Sequence, residues 1–582
     1  MQISERVQRI EASQSLAMAA RAKEMKAAGI DVISMSLGEP DMDTPEHIRR
    51  AAQEAIDNGW THYGPVAGIP SLKEAIANVQ NNRPNQKYKN IDKPSCTAIN
   101  IDKEEIKNAH STSAMPDGLR GLERNHPQAL TNELAAPVDA NTPNLLPEEQ
   151  HVEYLQKCDL PSYKNDKNEI EWTASDVIVS VGAKMAIYNA IQTIVNPGDE
   201  VIIPMPSWVS YSEMVKVAGG KVVPIMTRYE DRYCLTAEQL RNALTEKTRM
   251  LILCSPNNPT GSVYSYEELA AIVDVLRDWP NVVVLSDEIY SALVYTENIN
   301  IDKPASHDKQ KNAESTAANG DLRVTDNQIA SEQAPRQIAC EFRTAGTDAR
   351  PPQDSFQKCD VPSYENTKNK ISNLKCKISN TSTSMAQFPE LADRLVLVNG
   401  VSKAYAMTGW RIGWLMSKNK DFIAACTRLQ GQQVTCATMV AQRAAEAALT
   451  GSQECVEQMR QVFAERRELI CRLAADIPGF RFDQPQGAFY LFPEVSSLYG
   501  KRPNPSQSRF ECSQDILRLK GREKVLSSAD DIVDYLLEVA HVAVVSGSAF
   551  GCPDCIRLSY AISTEEITEA MRRIKAAVER LM

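Results

Sequence analysis

Apolar runs of strand length alternate with helical segments along two long parts of the chain. Residues 16–28, LAMAARAKEMKAA, are strong helix formers stopped by Gly29. A short strand within DVISMS then leads into a turn at Gly38-Glu39-Pro40-Asp41. Thr44 and Pro45 predict an N-cap and a first helical residue, for a helix ending at Gly59. From Asp176 to Val181 the chain reads as a buried strand running into Gly182-Ala183-Lys184 and a helix. EVIIP at 200–204 and Met250 to Cys254 are further strands, and Ser265 with Glu268 forms a capping box. Strands follow at Asn281 to Leu285 and at Leu395 to Val398. Beyond Arg411 the pattern reads as helices as far as Ala475. GAFYLFP at 487–493, VAVVSG at 542–547 and Ile556 to Tyr560 then predict strands, and Ser563 with Glu566 caps a last helix over 564–581. Repeated strand–helix units predict an α/β fold, a mostly parallel doubly wound sheet in a large domain, followed by a smaller α+β domain.

Two polar stretches interrupt this pattern, at 83–172 and 298–388, and a smaller one falls at 504–526. The two long ones are rich in Asn, Lys and Pro and sustain no period of strand or helix. They share text: QKCDLPSY at 156–163 recurs as QKCDVPSY at 357–364, and Asn-Ile-Asp-Lys begins at 90, 100 and 300. A solenoid unit needs an apolar face to stack, and these units have little. They read as related insertions that form exposed, largely disordered loops.

Composition narrows the function classes. The net charge of −11 argues against a nucleic-acid partner. No apolar run reaches the ~18 residues of a membrane span, and the N-terminus lacks the apolar core of a secretory signal, so no membrane partner and a cytosolic location are expected. The 14 cysteines then read as reduced thiols. Cys552 and Cys555 make a Cys-x-x-Cys with no second pair or His cluster to complete a metal site, so no metal is expected.

Lys403 sits in a turn of small residues right after an apolar strand, and Arg411 follows soon after. A lysine that does covalent chemistry must lose its proton near neutral pH, which burial and cationic neighbours favour. An arginine binds phosphate through its planar fork. Together they suit a pyridoxal-phosphate site, although a surface lysine and a structural arginine fit the spacing too. The strand–glycine–helix junction at Gly182 offers N–H groups to an anion, as many α/β junctions do. Asp287 ends a buried strand, where a carboxylate needs a partner, or caps a helix.

SKAYAMTGWRIG at 402–413 resembles the class I aminotransferases of fold type I, nearest to the bacterial aspartate aminotransferases of the aspartate/prephenate branch. The resemblance covers residues 1–82, 173–297, 389–503 and 527–582. It implies an N-terminal arm with part of the small domain at 1–45, a large cofactor domain at 46–415 and a small C-terminal domain at 416–582. It also implies pyridoxal 5'-phosphate bound covalently to Lys403, which then serves as general acid/base. By resemblance, Asp287 faces the ring nitrogen, and Asn258 and Tyr290 share the ring 3'-oxygen, Tyr290 also tuning Lys403. Trp208 stacks on the ring, while Gly182, Ala183, Lys184, Ser402 and Arg411 hold the phosphate end. Tyr63 matches a tyrosine that reaches the phosphate of the other subunit, which implies a homodimer with shared sites. Arg557 clamps the substrate α-carboxylate and Gly38 approaches it.

The implied reaction moves an amino group from an L-amino acid to a 2-oxo acid such as 2-oxoglutarate, in two half-reactions. Lys184, Ser13 and Ser15 match positions that bind an acidic side chain, which favours aspartate. Many relatives have Lys-Pro-Ser where this chain has Glu11-Ala12-Ser13, which weakens the case for prephenate. Aminotransferases of aromatic amino acids or kynurenine are the nearer alternatives. A regulator on this fold needs an N-terminal DNA-binding domain, for which residues 1–30 are too short. A non-catalytic interaction protein is the remaining class, and the intact site positions argue against it.

Overall fold

The computed structural model describes residues 1, 3–11, 14–83, 170–295, 381–503 and 525–582. Ser13 and most of the three polar stretches lie outside the described residues.

Ile33–Ser34 (β1) stands apart from a seven-stranded central sheet. That sheet comprises Val177–Val181 (β2), Glu200–Met205 (β3), Lys221–Met226 (β4), Thr248–Cys254 (β5), Val283–Asp287 (β6), Leu395–Gly400 (β7) and Ile412–Met416 (β8). Its order is β2-β8-β7-β6-β5-β3-β4. β8 runs antiparallel to both neighbours, and the other strands are parallel to one another. β2, β5, β7 and β8 are buried on both faces, which is why they read as apolar runs rather than alternation. β8 corrects the expectation of helices directly after Arg411. All its residues are buried between β2 and β7, and a short run of this kind has no period to separate strand from helix. Helices follow only from Lys420–Gln433 onward.

Register sets Cys254 beside Asp287 and Asp287 beside Val398. The turns leaving β5, β6 and β7 therefore open side by side at the carboxyl ends of parallel strands, where α/β sheets bind ligands. The capping boxes Ser265/Glu268 and Ser563/Glu566 form as expected, opening helices Tyr266–Arg277 and Thr564–Val578.

The smaller sheets contain Tyr490–Leu491 (β9), Val542–Ala543 (β10), Val545–Ser546 (β11) and Ile556–Ser559 (β12). β10 pairs with β1, whereas β11 and β9 flank β12. VAVVSG is thus two strands, because the chain changes sheet at Val544. GAFYLFP keeps only two residues of strand. Its first half turns to the segment after Tyr290 instead, with the Ala488 N–H on the Leu293 carbonyl and Ala488 at φ 55°.

Thr44 is not the N-cap. Pro45 holds that place for helix Glu46–Asp57, while the Thr44 hydroxyl donates to the Ala406 carbonyl at 2.7 Å. The described ends of the polar stretches are not exposed loops either. Trp172 is buried and exchanges two hydrogen bonds with the Asn81 side chain, both at 2.8 Å. Residues 381–386 are buried, and the Ser384 hydroxyl and Met385 N–H donate to Glu288. The Ser384 hydroxyl and the Met385 N–H are thus satisfied by a buried carboxylate rather than by water. Among the described residues, no helix is long and apolar enough to cross a membrane.

Candidate active site

Asp287 closes β6 and is 3% exposed. Its Oδ2 accepts from the Tyr211 hydroxyl at 2.6 Å and its Oδ1 from the Ile289 N–H at 3.2 Å. Burial pushes the carboxyl up to about 6, against the pull of these bonds. No helix follows it, so Asp287 is not a helix N-cap.

Lys403 lies in the turn after β7, and its Nζ donates to the Gly38 carbonyl at 2.5 Å. Burial lowers the ammonium to about 8. Glu39 opposes that shift, and the positive charges of Arg557 and Arg411 add to it. Gly38 approaches this closely because it has no side chain: a Cβ there would stand 2.0 Å from the Tyr490 hydroxyl. Glu39 is held in turn by the Thr408 hydroxyl.

β12 carries Arg557 into the same space, 3% exposed. One guanidinium nitrogen donates to Asn258 Oδ1 at 3.0 Å and the other to the Ser36 carbonyl at 2.6 Å. The rings of Tyr490 and Phe550 lie 4.7 and 4.8 Å from the guanidinium carbon. Among the described residues, the buried Nε has no hydrogen-bond partner. The Tyr290 and Tyr490 hydroxyls are 2.8 Å apart, and burial drives the Tyr290 phenol well above its usual range.

A cationic end lies at the start of helix Gly182–Ile194. Gly182 has φ 79°, and a Cβ on it would meet an Arg411 terminal nitrogen at 2.5 Å. That arginine is exposed, with one nitrogen on the Thr408 carbonyl at 2.8 Å. Ala183 and Ser402 are buried nearby in sequence to these groups. Lys184 Nζ lies 4.8 Å from the Trp208 ring centroid. Desolvation lowers its ammonium first, and Arg411 lowers it further. Trp208 meets Tyr211 edge to face at 5.3 Å.

The candidates do not all converge. Tyr63 is 88% exposed, away from the contacts just described. Ser15 is half-buried in helix Gln14–Ala27 and takes part in none of these hydrogen bonds, and Ser13 lies outside the described residues. Sequence reasoning missed Tyr211, Tyr490 and Glu39. Tyr211 stands three residues after Trp208, in the first turn of helix Ser210–Ala218, and Tyr490 lies inside GAFYLFP. Among the described residues, no group of three or more His, Cys, Asp or Glu is placed to hold a metal ion.

Known proteins resemble this chain along its length. Residues 30–99, 128–315 and 374–574 match the family described as aminotransferase class I and II. An aspartate aminotransferase of Bacillus sp. (strain YM-2) is 31% identical over 577 residues, 99% of each chain. An aspartate/prephenate aminotransferase of Nitrosomonas europaea is 30% identical over 576 residues, 99% of each. The crystal structure of an aspartate aminotransferase from Rhizobium meliloti superposes with a TM-score of 0.66 at 28% identity, covering 100% of each chain. That of Thermus thermophilus aspartate aminotransferase with maleate gives 0.62 at 26% identity, covering 99% of this chain and 100% of that one.

Proposed function

Because this chain belongs to the class I and II aminotransferases, we propose that it transfers the amino group of aspartate to a 2-oxo acid such as 2-oxoglutarate, with pyridoxal 5'-phosphate as cofactor. The observation that carries this reading is Lys403, an amine lowered to about 8 at the junction of Asp287, Arg557 and Arg411.

The donor set fits the cofactor. Asp287 is a buried carboxylate whose hydrogen bonds come from a phenol and an N–H, which leaves it suited to a protonated ring nitrogen. Trp208 supplies a flat face, and the Gly182 turn with Arg411 suits a phosphate. When bound, pyridoxal phosphate supplies an electron-withdrawing ring beside the substrate Cα.

The chain's own groups do the rest. Lys403 Nζ, neutral in part of the molecules near neutral pH, takes the proton from the substrate Cα and returns it as general acid. Asp287 would hold a negative charge opposite the cofactor's protonated ring nitrogen, which would favour charge withdrawal from Cα. Arg557 exchanges its present acceptors for the substrate α-carboxylate, and the bidentate fork fixes the Cα. Tyr290 and Asn258 would hold the cofactor's ring oxygen by hydrogen bonds. Lys184 offers a cation to the side-chain carboxylate, and the exposed Tyr63 completes the phosphate site of the partner in a homodimer.

Prephenate is the second reading, favoured by the name of the Nitrosomonas europaea relative. Glu11 argues against it: its carboxylate is drawn to Lys216 at 3.0 Å, adding an acidic group in the N-terminal segment. Assay of the purified protein with a panel of amino donors and 2-oxoglutarate tests the proposal. Aspartate is expected to give the highest kcat/KM. Transfer from no donor would overturn the activity, and a better aromatic donor would overturn the substrate.

A further inference from the structure

The sequence motif that this function leaves unused is Cys552-x-x-Cys555. We propose that these two thiols form a reversible intramolecular disulfide by exchange with a small disulfide, and that the Arg557 site reads its state. The second half of this proposal rests on Arg557 binding the substrate carboxylate.

The two sulfurs lie 3.4 Å apart. The Cys555 N–H bonds the Cys552 carbonyl at 3.2 Å, closing a tight turn. Such a turn keeps its end Cα atoms within ~7 Å, and most disulfides need Cα atoms about 4.4–6.8 Å apart. Cys552 is half-buried and reachable, whereas Cys555 is buried, with the Tyr233 hydroxyl 3.6 Å from its sulfur. The bond between the sulfurs favours the ionised form of Cys552 and holds that thiol below its usual range. Burial pushes the thiols of Cys234, Cys254, Cys426, Cys455 and Cys471 up instead. Cys552 is therefore the attacking thiolate and Cys555 the resolving thiol.

The step balances. The Cys552 thiolate attacks one sulfur of the small disulfide and expels a thiolate. Cys555 passes its proton to that thiolate, attacks Cys552 Sγ in the mixed disulfide and expels the second sulfur as a thiolate. The protein pair loses two electrons and the small disulfide gains them.

The turn is wired to the site. The Cys555 carbonyl accepts from the Gly547 N–H at 2.7 Å, and the Gly547 carbonyl accepts from Cys552 at 2.9 Å. A Cβ on Gly547 would stand 2.1 Å from the Cys552 carbonyl oxygen, so the turn has no slack. Gly547–Phe550 ends in the ring that packs on Arg557, and the Phe550 carbonyl accepts from the Ser207 N–H, next to Trp208. Drawing the sulfurs together to the bond length of about 2.0 Å pulls on this turn.

The test equilibrates native holoenzyme in graded ratios of reduced to oxidised glutathione, followed by alkylation and peptide mass mapping. The peptide with both cysteines is expected to lose two hydrogens and regain them in dithiothreitol. KM for aspartate is expected to rise about threefold on oxidation with kcat unchanged, as when uniform binding weakens. Cys552→Ser should keep the reduced-state kinetics and lose both responses. Full alkylation of both thiols at every ratio overturns the site. A disulfide with an unmoved KM overturns the coupling. If no donor is turned over at all, the mass map still decides the disulfide, so that failure is distinct from failure of the aminotransferase reading.

Discussion

The Tyr211 hydroxyl donates to Asp287 Oδ2 across 2.6 Å, with both side chains buried. This bond favours the charged carboxylate in a place where burial disfavours it. Tyr211→Phe leaves one carboxylate oxygen without its donor. It is expected to lower stability by about 1–3 kcal/mol, read as the urea midpoint at unchanged slope, and to lower kcat/KM. Unchanged values of both would show that Tyr211 does not support Asp287.

Asp287 gives a pH signature in cofactor-free protein. Its carboxyl is raised from 3.8 to about 6 by burial, so between these values the folded chain binds more protons than the unfolded one. The contribution to stability is present below the lower value and is lost as pH rises through the upper one. Wild-type protein should therefore lose stability relative to Asp287→Asn over this window, measured by urea unfolding at each pH. A constant difference would contradict the raised value.

Lys403 has the opposite sense. Its ammonium is lowered from 10.5 to about 8, so the neutral amine grows as pH rises through about 8. The rate of pyridoxal phosphate uptake by cofactor-free protein should climb through that pH, because the neutral amine is the nucleophile. A flat profile, or borohydride fixing the cofactor on another lysine, would sink the assignment. Lys403→Ala should keep the fold and abolish transamination.

Arg557 cannot be replaced by a point charge. Arg557→Lys loses the planar fork that reaches Asn258 and Ser36 together. One charged hydrogen bond is worth about 1.5–3 kcal/mol, so kcat/KM for aspartate is expected to fall roughly 10- to 100-fold. A variant with wild-type kcat/KM would remove Arg557 from carboxylate binding.

Glu288 is a structural counterpart to its neighbour Asp287. It is 1% exposed and takes an ion pair from Arg83, which also reaches the Ser382 carbonyl at 3.3 Å. It thus joins the first residue of one polar stretch to the closing residues of the other. Glu288→Ala leaves Arg83 half-unpaired in a buried place and is expected to cost about 3–5 kcal/mol in urea unfolding. A loss under about 1 kcal/mol would show that the ion pair is not what holds these segments.

The sequence by itself determined the local units. Apolar runs, glycine stops and two capping boxes depend on neighbours within a few residues, so β2, β5, β6 and β7 and helices Tyr266–Arg277 and Thr564–Val578 were legible. Lys403, Asp287, Asn258, Tyr290 and Arg557, singled out by the family motif, lie near one another in the fold. Only the tertiary structure decided which strand an apolar run becomes. β8 is a strand because β2 and β7 hydrogen-bond it from both sides, and VAVVSG is divided because its halves pair in different sheets. The Thr44 hydroxyl left its expected cap for the carbonyl of Ala406, a residue far along the chain. Tyr211 and Tyr490 joined the site, and residues 381–386 became buried around Glu288, through contacts between segments distant in sequence. Such pairings follow from burial and from the need to satisfy buried polar groups, and neither leaves a periodic trace along the chain.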